Sequence, residues 1–197
     1  MSVGYNLEGI KQPPMQQFID NMMDASDHPK FAQYRDTLNK LLQDDAFLAR
    51  HGLQEKRESL QALPARIPTS MVQGVTLSTM HGCPPDEVER IALYFLQGRR
   101  LNTTLKMNPT LLGPERVRGI LNESLGYTVN VPDIAFEHDI SYDTALRILH
   151  SCRHAADELG LAFGVKLTNT LEALNSGQSL PEKEPMVYMS GRALYPV

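Results

Sequence analysis

The strongest constraint on this chain is an alternation, from Thr69 onward, between short apolar–polar strands and amphipathic helices. Residues 73–80 (QGVTLSTM) read as a strand, and Pro84-Pro85-Asp86-Glu87 then opens a helix with proline and acids in its first turn. Val88, Ile91, Ala92 and Phe95 give that helix its buried face. A second strand over 103–108 (TTLKMN) precedes a helix from Pro114 with Val117, Ile120 and Leu121 inward. Residues 126–140 read as a short strand and a structured loop. Ser141 then caps a long helix whose face carries Ala145, Leu149, Cys152 and Ala156. A strand over 161–168 (LAFGVKLT) follows, and a last one begins near Met186. Strands that alternate with helices pair in parallel under a helical cover. The expected fold class is α/β: a partial (β/α) TIM-type barrel with a helical N-terminal region, an open doubly wound sheet being the runner-up. An eight-stranded barrel takes about 250 residues. The four or so strands visible here fit a segment of one, cut from a longer chain.

Residues 1–66 have the texture of the helical region, and residues 67–197 that of the barrel segment. Phe18, Ile19, Met22 and Met23 form one apolar stripe; Phe31, Tyr34, Leu38, Leu41 and Leu42 form a second at helical spacing. Asp27-His28-Pro29 starts the second helix with a capping side chain and a proline in the first turn. A third helical stretch runs to about Leu63. The chain carries a net charge of −4, and its Lys and Arg are scattered, which argues against a nucleic-acid surface. No stretch approaches the roughly 18 apolar residues of a membrane span, and the N-terminus has no apolar leader segment. The expected compartment is cytoplasmic. The two cysteines, Cys83 and Cys152, are far apart and cannot alone hold a cluster or structural zinc.

In barrels of this type the chemistry sits at the C-terminal ends of the strands. Period-two alternation places Leu105 and Met107 toward the helices, with Thr104, Lys106 and Asn108 inward. In the later strand Phe163, Val165 and Leu167 pack under helices, while Ala162, Gly164, Lys166 and Thr168 point inward. Two lysines, Lys106 and Lys166, therefore end parallel strands on the interior face. A buried lysine is costly unless it pairs with an anion or takes part in chemistry. The alternatives are a salt bridge to an interior acid, an anion or flavin-ring site, or a Schiff base. A Walker or Rossmann phosphate loop is absent.

The loop His81-Gly82-Cys83-Pro84-Pro85 joins a strand end to a helix N-terminus, where a positive dipole end would lower a thiol pKa. Cys83 is thus either a reactive group or proton donor, or a semi-buried thiol in a tight turn. Phe136-Glu137-His138-Asp139 gathers titratable groups, as an acid/base site or as a turn ahead of Ser141. His150 and His154 have metal-ligand spacing on a helix but lack a third ligand, so a solvated face is expected and no metal is assigned.

The order of these strand-end motifs resembles the barrel of dihydroorotate and dihydropyrimidine dehydrogenases. The residues that carry it are Ser78 through Pro84, Lys106 to Thr110, Thr168-Asn169-Thr170 and Ser190 to Pro196. A closer resemblance, spanning nearly the whole chain, is to a bacterial family described as a selenate reductase subunit. It rests on GYNLEGI (Gly4–Ile10), STMHGCPPDEVERIA (Ser78–Ala92), LKMNPTLLG (Leu105–Gly113), AFEHDISYD (Ala135–Asp143), AFGVKLTNTL (Ala162–Leu171) and YMSGRALYP (Tyr188–Pro196).

The resemblance implies a multidomain electron-transferring oxidoreductase whose barrel takes flavin mononucleotide (FMN). FAD, NAD(P)H and 4Fe-4S clusters are then expected elsewhere in the parent chain, whose other domains, with further reductase subunits, are the expected partners. It also implies that Lys106 lies against the flavin ring and that Asn108 and Asn169 hydrogen-bond ring or substrate. The implied catalytic set is Cys83, Lys106 and Lys166; the implied cofactor-binding set is Ser78, Lys106, Asn108, Lys166, Asn169, Thr170, Ser190 and Gly191. The sequence departs from the dehydrogenases at Ser-Thr-Met-His-Gly-Cys-Pro, and the strands that hold the flavin phosphate there have no counterpart here. Two further readings stay open: a non-catalytic barrel scaffold that organises neighbouring redox domains, and a lysine-dependent aldolase or lyase. The excised segment alone is expected to be inactive.

Overall fold

A computed structural model describes residues 1–78, 83–177 and 179–197. In chain order its elements are β1 (Ser2–Val3), α1 (Leu7–Ile10), α2 (Pro13–Met23), α3 (Pro29–Gln43), α4 (Asp45–Arg50), α5 (Arg57–Gln61) and α6 (Leu63–Arg66). There follow β2 (Gly74–Ser78), α7 (Pro85–Leu93), β3 (Asn102–Met107), α8 (Pro114–Arg118), α9 (Ile134–Glu137), α10 (Tyr142–Leu159), β4 (Phe163–Leu167), β5 (Leu171–Leu174) and β6 (Met186–Met189). Two compact units emerge: residues 1–10 with 74–197, and residues 11–73.

The first unit is a parallel sheet in the order β1-β2-β3-β4. Its pairing is in steady register: Ser2 opposite Thr76, Ser78 opposite Lys106, and Lys106 opposite Lys166. The α/β class and the parallel pairing expected from the alternation are both present. The outer face of the sheet is apolar and dry at its centre, with Val75, Leu77, Leu105 and Met107 at most 3% exposed. Against the sheet lie α10, which meets β4, and the helical turn 94–98 that continues α7 and meets β3; α7 and α10 pack on each other. Val88, Ile91 and Ala92 are the buried face of α7; Ala145, Ile148, Cys152, Ala155 and Ala156 are that of α10. Ser141 caps α10 by accepting the Thr144 backbone N–H, and Gly160, at φ +64°, closes it in the left-handed conformation that glycine adopts without a Cβ clash.

Four expectations change. Residues 1–10 belong with the sheet rather than with a helical region ending at residue 66, because Ser2–Val3 adds a strand beside β2. The Met1 ammonium also donates to the Gly74 carbonyl, tying the first residue to the start of β2. The segment from Met186 is not another parallel barrel strand: it pairs antiparallel with β5, Leu171 opposite Met189, as a separate two-stranded sheet. Residues 126–140 contain no strand; their ordered element is the short helix α9. Val165 and Leu167 are not buried under helices: with Tyr142, Leu146 and Leu149 of α10 they line a cavity. They are 44% and 71% exposed.

Residues 11–73 are helical, as the apolar stripes imply. Ile19 and Leu42 are fully buried, whereas Phe18 and Tyr34, from the same stripes, are exposed. The α3 helix begins at Pro29 behind His28, and no side chain caps it there. At α4, Asp44 does cap, its carboxylate accepting from the Ala46 and Phe47 N–H groups. The expected third helix is broken into short pieces, α4 to α6, with a 3₁₀ turn between the first two.

Candidate functional site

The strand ends of the first unit gather most of the residues singled out from sequence. Ser78, Lys106 and Lys166 form one row across three neighbouring strands, at the C-terminal ends of β2, β3 and β4. Neighbouring strands are about 4.8 Å apart, so the two lysine backbones are immediate neighbours, and the row lies on the face opposite Leu105 and Met107. Lys106 is half-buried and Lys166 exposed. Among the described residues neither lysine makes an ion pair or hydrogen bond with another side chain. Two like charges opposite one another on a sheet repel, and the salt bridge to an interior acid is not found among these residues. Gly164 sits beside Thr104 in the same face; a Cβ there would meet the Thr104 hydroxyl at 3.4 Å, so the interior wall is tight below the lysines.

Beyond the row, β3 runs into Asn108-Pro109-Thr110. The Asn108 amide donates to Asp139 Oδ1 at 2.9 Å, and the Thr110 hydroxyl donates to Asp139 Oδ2 at 2.8 Å. From sequence Thr110 stands only within the Lys106–Thr110 motif and Asp139 only within the Phe136–Asp139 cluster, read as an acid/base site or a turn; neither pattern says which strand end the loop reaches. Beyond β4, the Asn169 N–H donates to the Met107 carbonyl at 2.7 Å, which holds the Thr168-Asn169-Thr170 turn against the end of β3. Asn169 is buried and Thr170 half-buried.

The β5–β6 hairpin brings the Ser190-Gly191 segment back to this end. A cavity of about 500 Å³ is lined by Lys166, Leu167, Thr168, Gly191, Leu194, Tyr195 and Val197. Gly191, at φ +70°, opens the 3₁₀ turn Gly191–Leu194. Ser190 is exposed beside it. Leu171 and Leu194 anchor the hairpin in a small core with Val117, Leu121, Val131 and Ala135. The structure thus brings Lys166 and Gly191 to one cavity, and Lys106, Asn108 and Asn169 to the adjoining strand ends.

Cys83 stands two residues ahead of α7 and is half-buried. Residues 79–82, which carry the His81-Gly82 part of the loop, lie outside the described residues. The helix N-terminus was expected to lower the Cys83 pKa, and the opposite holds. Desolvation raises it, and the Glu87 and Asp86 carboxylates raise it further. The same acids that suit the first turn of α7 as a helix oppose a thiolate beside it. Cys83 is therefore a neutral thiol at neutral pH, capable of donating a proton but not an activated nucleophile. Cys152, wholly buried in α10, is pushed up to about 12 by burial and by Glu89, and is core. His154 faces Glu158 one helical turn on and His150 is exposed, so both lie on the solvated face of α10. Among the described residues no three His, Cys, Asp or Glu side chains come together as a metal site, and no helix is long and apolar enough to cross a membrane.

A parallel α/β sheet with polar and cationic side chains at its C-terminal strand ends is the arrangement of a TIM-type barrel enzyme. Residues 1–197 match the family described as oxidoreductase YgfK, N-terminal TIM-barrel domain, and the chain belongs to that family. It is 69% identical over 198 residues to proteins from Escherichia coli K12 and from Escherichia coli O157:H7, each named "Putative oxidoreductase YgfK". The match covers 100% of this chain and 19% of each relative, so the chain spans about a fifth of their length. No solved structure matches it.

Proposed function

We propose that the chain is the flavin-type barrel segment of a multidomain electron-transferring oxidoreductase, with the Lys106–Lys166 row as the ligand site. The observation that carries this reading is the pairing of two lysines in register on one face, with no carboxylate paired to either among the described residues. Such a pair fits an anionic, hydrogen-bonding edge laid across both strands. FMN has that edge, and when bound it would supply reversible hydride and electron transfer. Lys106 would hold the charge that builds on the ring edge, Asn108 and Asn169 would hydrogen-bond ring or substrate, and Thr170, Ser78, Ser190 and Gly191 would line the remaining wall. Lys166 would complete the anion contact from the neighbouring strand. Cys83, kept as a neutral thiol by Glu87 and Asp86, would act as a proton donor to substrate.

The finer identity follows the same line. The parent chain acts as a selenate reductase subunit, with FAD, NAD(P)H and 4Fe-4S clusters in the four-fifths of its length outside this segment. Its partners are those domains and other reductase subunits, in the cytoplasm, and the excised segment alone has no turnover. The resemblance of the strand-end motifs to the flavin dehydrogenases supports this assignment, and the relatives' length leaves room for the other centres.

The test is an FMN titration of the full-length parent protein and of its Lys106→Ala variant, followed by quenching of flavin fluorescence. Tight binding that the variant loses makes Lys106 a site residue. An absence of binding to the full-length protein overturns the flavin reading and leaves the barrel as a scaffold for neighbouring redox domains.

A further inference from the structure

Among the described residues Asp139 is the acidic residue seen to contact a strand-end residue of the candidate site, and it does so from a loop with its own anchorage. Arg118, on α8, donates through Nε and Nη2 to the Val131 carbonyl, at 3.0 and 2.5 Å, and pairs with Asp133 at 2.6 Å. Its guanidinium also lies over the Phe136 ring, 5.4 Å from the centroid. Val131 and Ala135 are buried in the same small core that holds Leu171 and Leu194 of the hairpin segment. The loop is thereby fixed ahead of and within its short helix α9, which ends at Glu137 just before Asp139 reaches the end of β3.

A carboxylate only accepts hydrogen bonds. Its Oδ1 faces Asn108, so the NH₂ side of that amide must turn toward Asp139 and its carbonyl must turn the other way. Its Oδ2 takes the Thr110 hydroxyl, which removes the remaining freedom of the carboxylate. Asn108 follows Lys106 by two residues and therefore shares its side of the strand.

From this we infer that Asp139 is a positioning residue for the ligand site: it sets which face of the Asn108 amide is presented beside Lys106. The inference rests on the flavin reading above and extends it, fixing the orientation in which the Asn108 amide meets the ligand. The loop 126–140 is part of the site through this contact, although none of its residues need touch the ligand.

The experiment is a double-mutant cycle on the full-length protein, read as FMN affinity and as the absorbance maxima of bound flavin, with the melting temperature of the flavin-free protein measured alongside. Asn108→Ala and Asp139→Ala should each weaken FMN binding by roughly five- to ten-fold. The double variant should bind no more weakly than Asn108→Ala alone, because Asp139 acts through that amide. Asp139→Asn, which keeps the shape of the side chain and guards against a misfolded alanine variant, should fall between wild type and Asp139→Ala. Losses that simply add, or an Asp139→Ala protein with a lower melting temperature but wild-type flavin affinity and spectrum, would overturn the positioning role while leaving the flavin reading in place. A wild-type protein that binds no FMN would instead overturn the flavin reading and this inference with it.

Discussion

β3 and β4 are near copies in sequence pattern, yet they live in different surroundings. Each carries a lysine at the same register position, flanked by apolar residues that point to the opposite face. In β3 those flanking residues, Leu105 and Met107, are 0% and 3% exposed; in β4, Val165 and Leu167 are 44% and 71% exposed. The difference is a matter of neighbours. β3 is paired on both edges, by β2 and β4, and meets the helical turn 94–98 that continues α7, whereas β4 is paired on one edge among the described strands and faces α10 across a cavity. Alternation in a strand specifies which side chains share a face. It does not say what, if anything, covers that face.

The largest expected effect lies on the buried side of this comparison. Leu105→Ala should destabilise the 197-residue chain by about 2–5 kcal/mol, the cost of an unfilled cavity at a closed site, whereas Leu167→Ala should cost less than about 0.5 kcal/mol. Urea denaturation midpoints compare the two directly. Equal losses would break the contrast between the strands.

Next comes α10, which packs on α7 and against β4. Replacing Ser141 by Ala removes the acceptor for the Thr144 N–H and should cost about 1 kcal/mol, readable in the same denaturation assay. A value near zero would mean that packing of α10, not its cap, sets its start.

The α7–α10 layer should also leave a mark on pH dependence. Glu89 has its pKa lowered, chiefly by a hydrogen bond from Ser151 and then by Arg147 of α10, against an opposing desolvation effect. Its Oε2 accepts from the Arg147 guanidinium at 2.6 Å. A depressed carboxyl adds stability that is present above its unfolded pKa and lost as pH falls through its folded pKa. Glu89→Gln should therefore flatten the acid limb of stability below the ordinary carboxyl range, with little further change from neutral pH upward. Melting temperatures from pH 3 to 7 check this, and an unchanged acid limb would contradict it.

The smallest effect concerns the end of β2. Because Glu87 and Asp86 raise the Cys83 pKa, Glu87→Gln should speed alkylation of Cys83 at pH 8 by a small factor, while Cys152 stays unlabelled in the folded chain. Mass-spectrometric labelling rates measure both, and a slower Glu87→Gln protein would contradict the electrostatic account.

Much of the fold was legible from residue spacing: three of the four parallel strands, the capped helix after Ser141 and the inward lysines. What was not legible shares one cause, dependence on contacts distant in sequence. Ser2–Val3 is too short to show a period and is a strand only because β2 offers its edge. Met186–Met189 looks like any barrel strand in composition, and only pairing with Leu171–Leu174 marks it as a hairpin arm. At the site, period two placed Lys106, Asn108 and Lys166 on one face, whereas the carboxylate that grips Asn108 arrives from 31 residues away. The Cys83 reading failed for a different reason. A helix N-terminus has a favourable dipole for a thiolate, but desolvation, and with it the acids in that helix's first turn, act in the opposite sense.

The most direct test of the central claim, that the Lys106–Lys166 row is an anion-binding site at the strand ends of a flavin-type barrel, is a crystal structure of the full-length parent protein grown with FMN. The account predicts flavin at the ends of β2, β3 and β4, with its anionic edge in contact with both lysines. Carboxylates from other parts of the parent chain, paired with Lys106 and Lys166 and filling that space, would contradict it and make the row a structural ion-pair network.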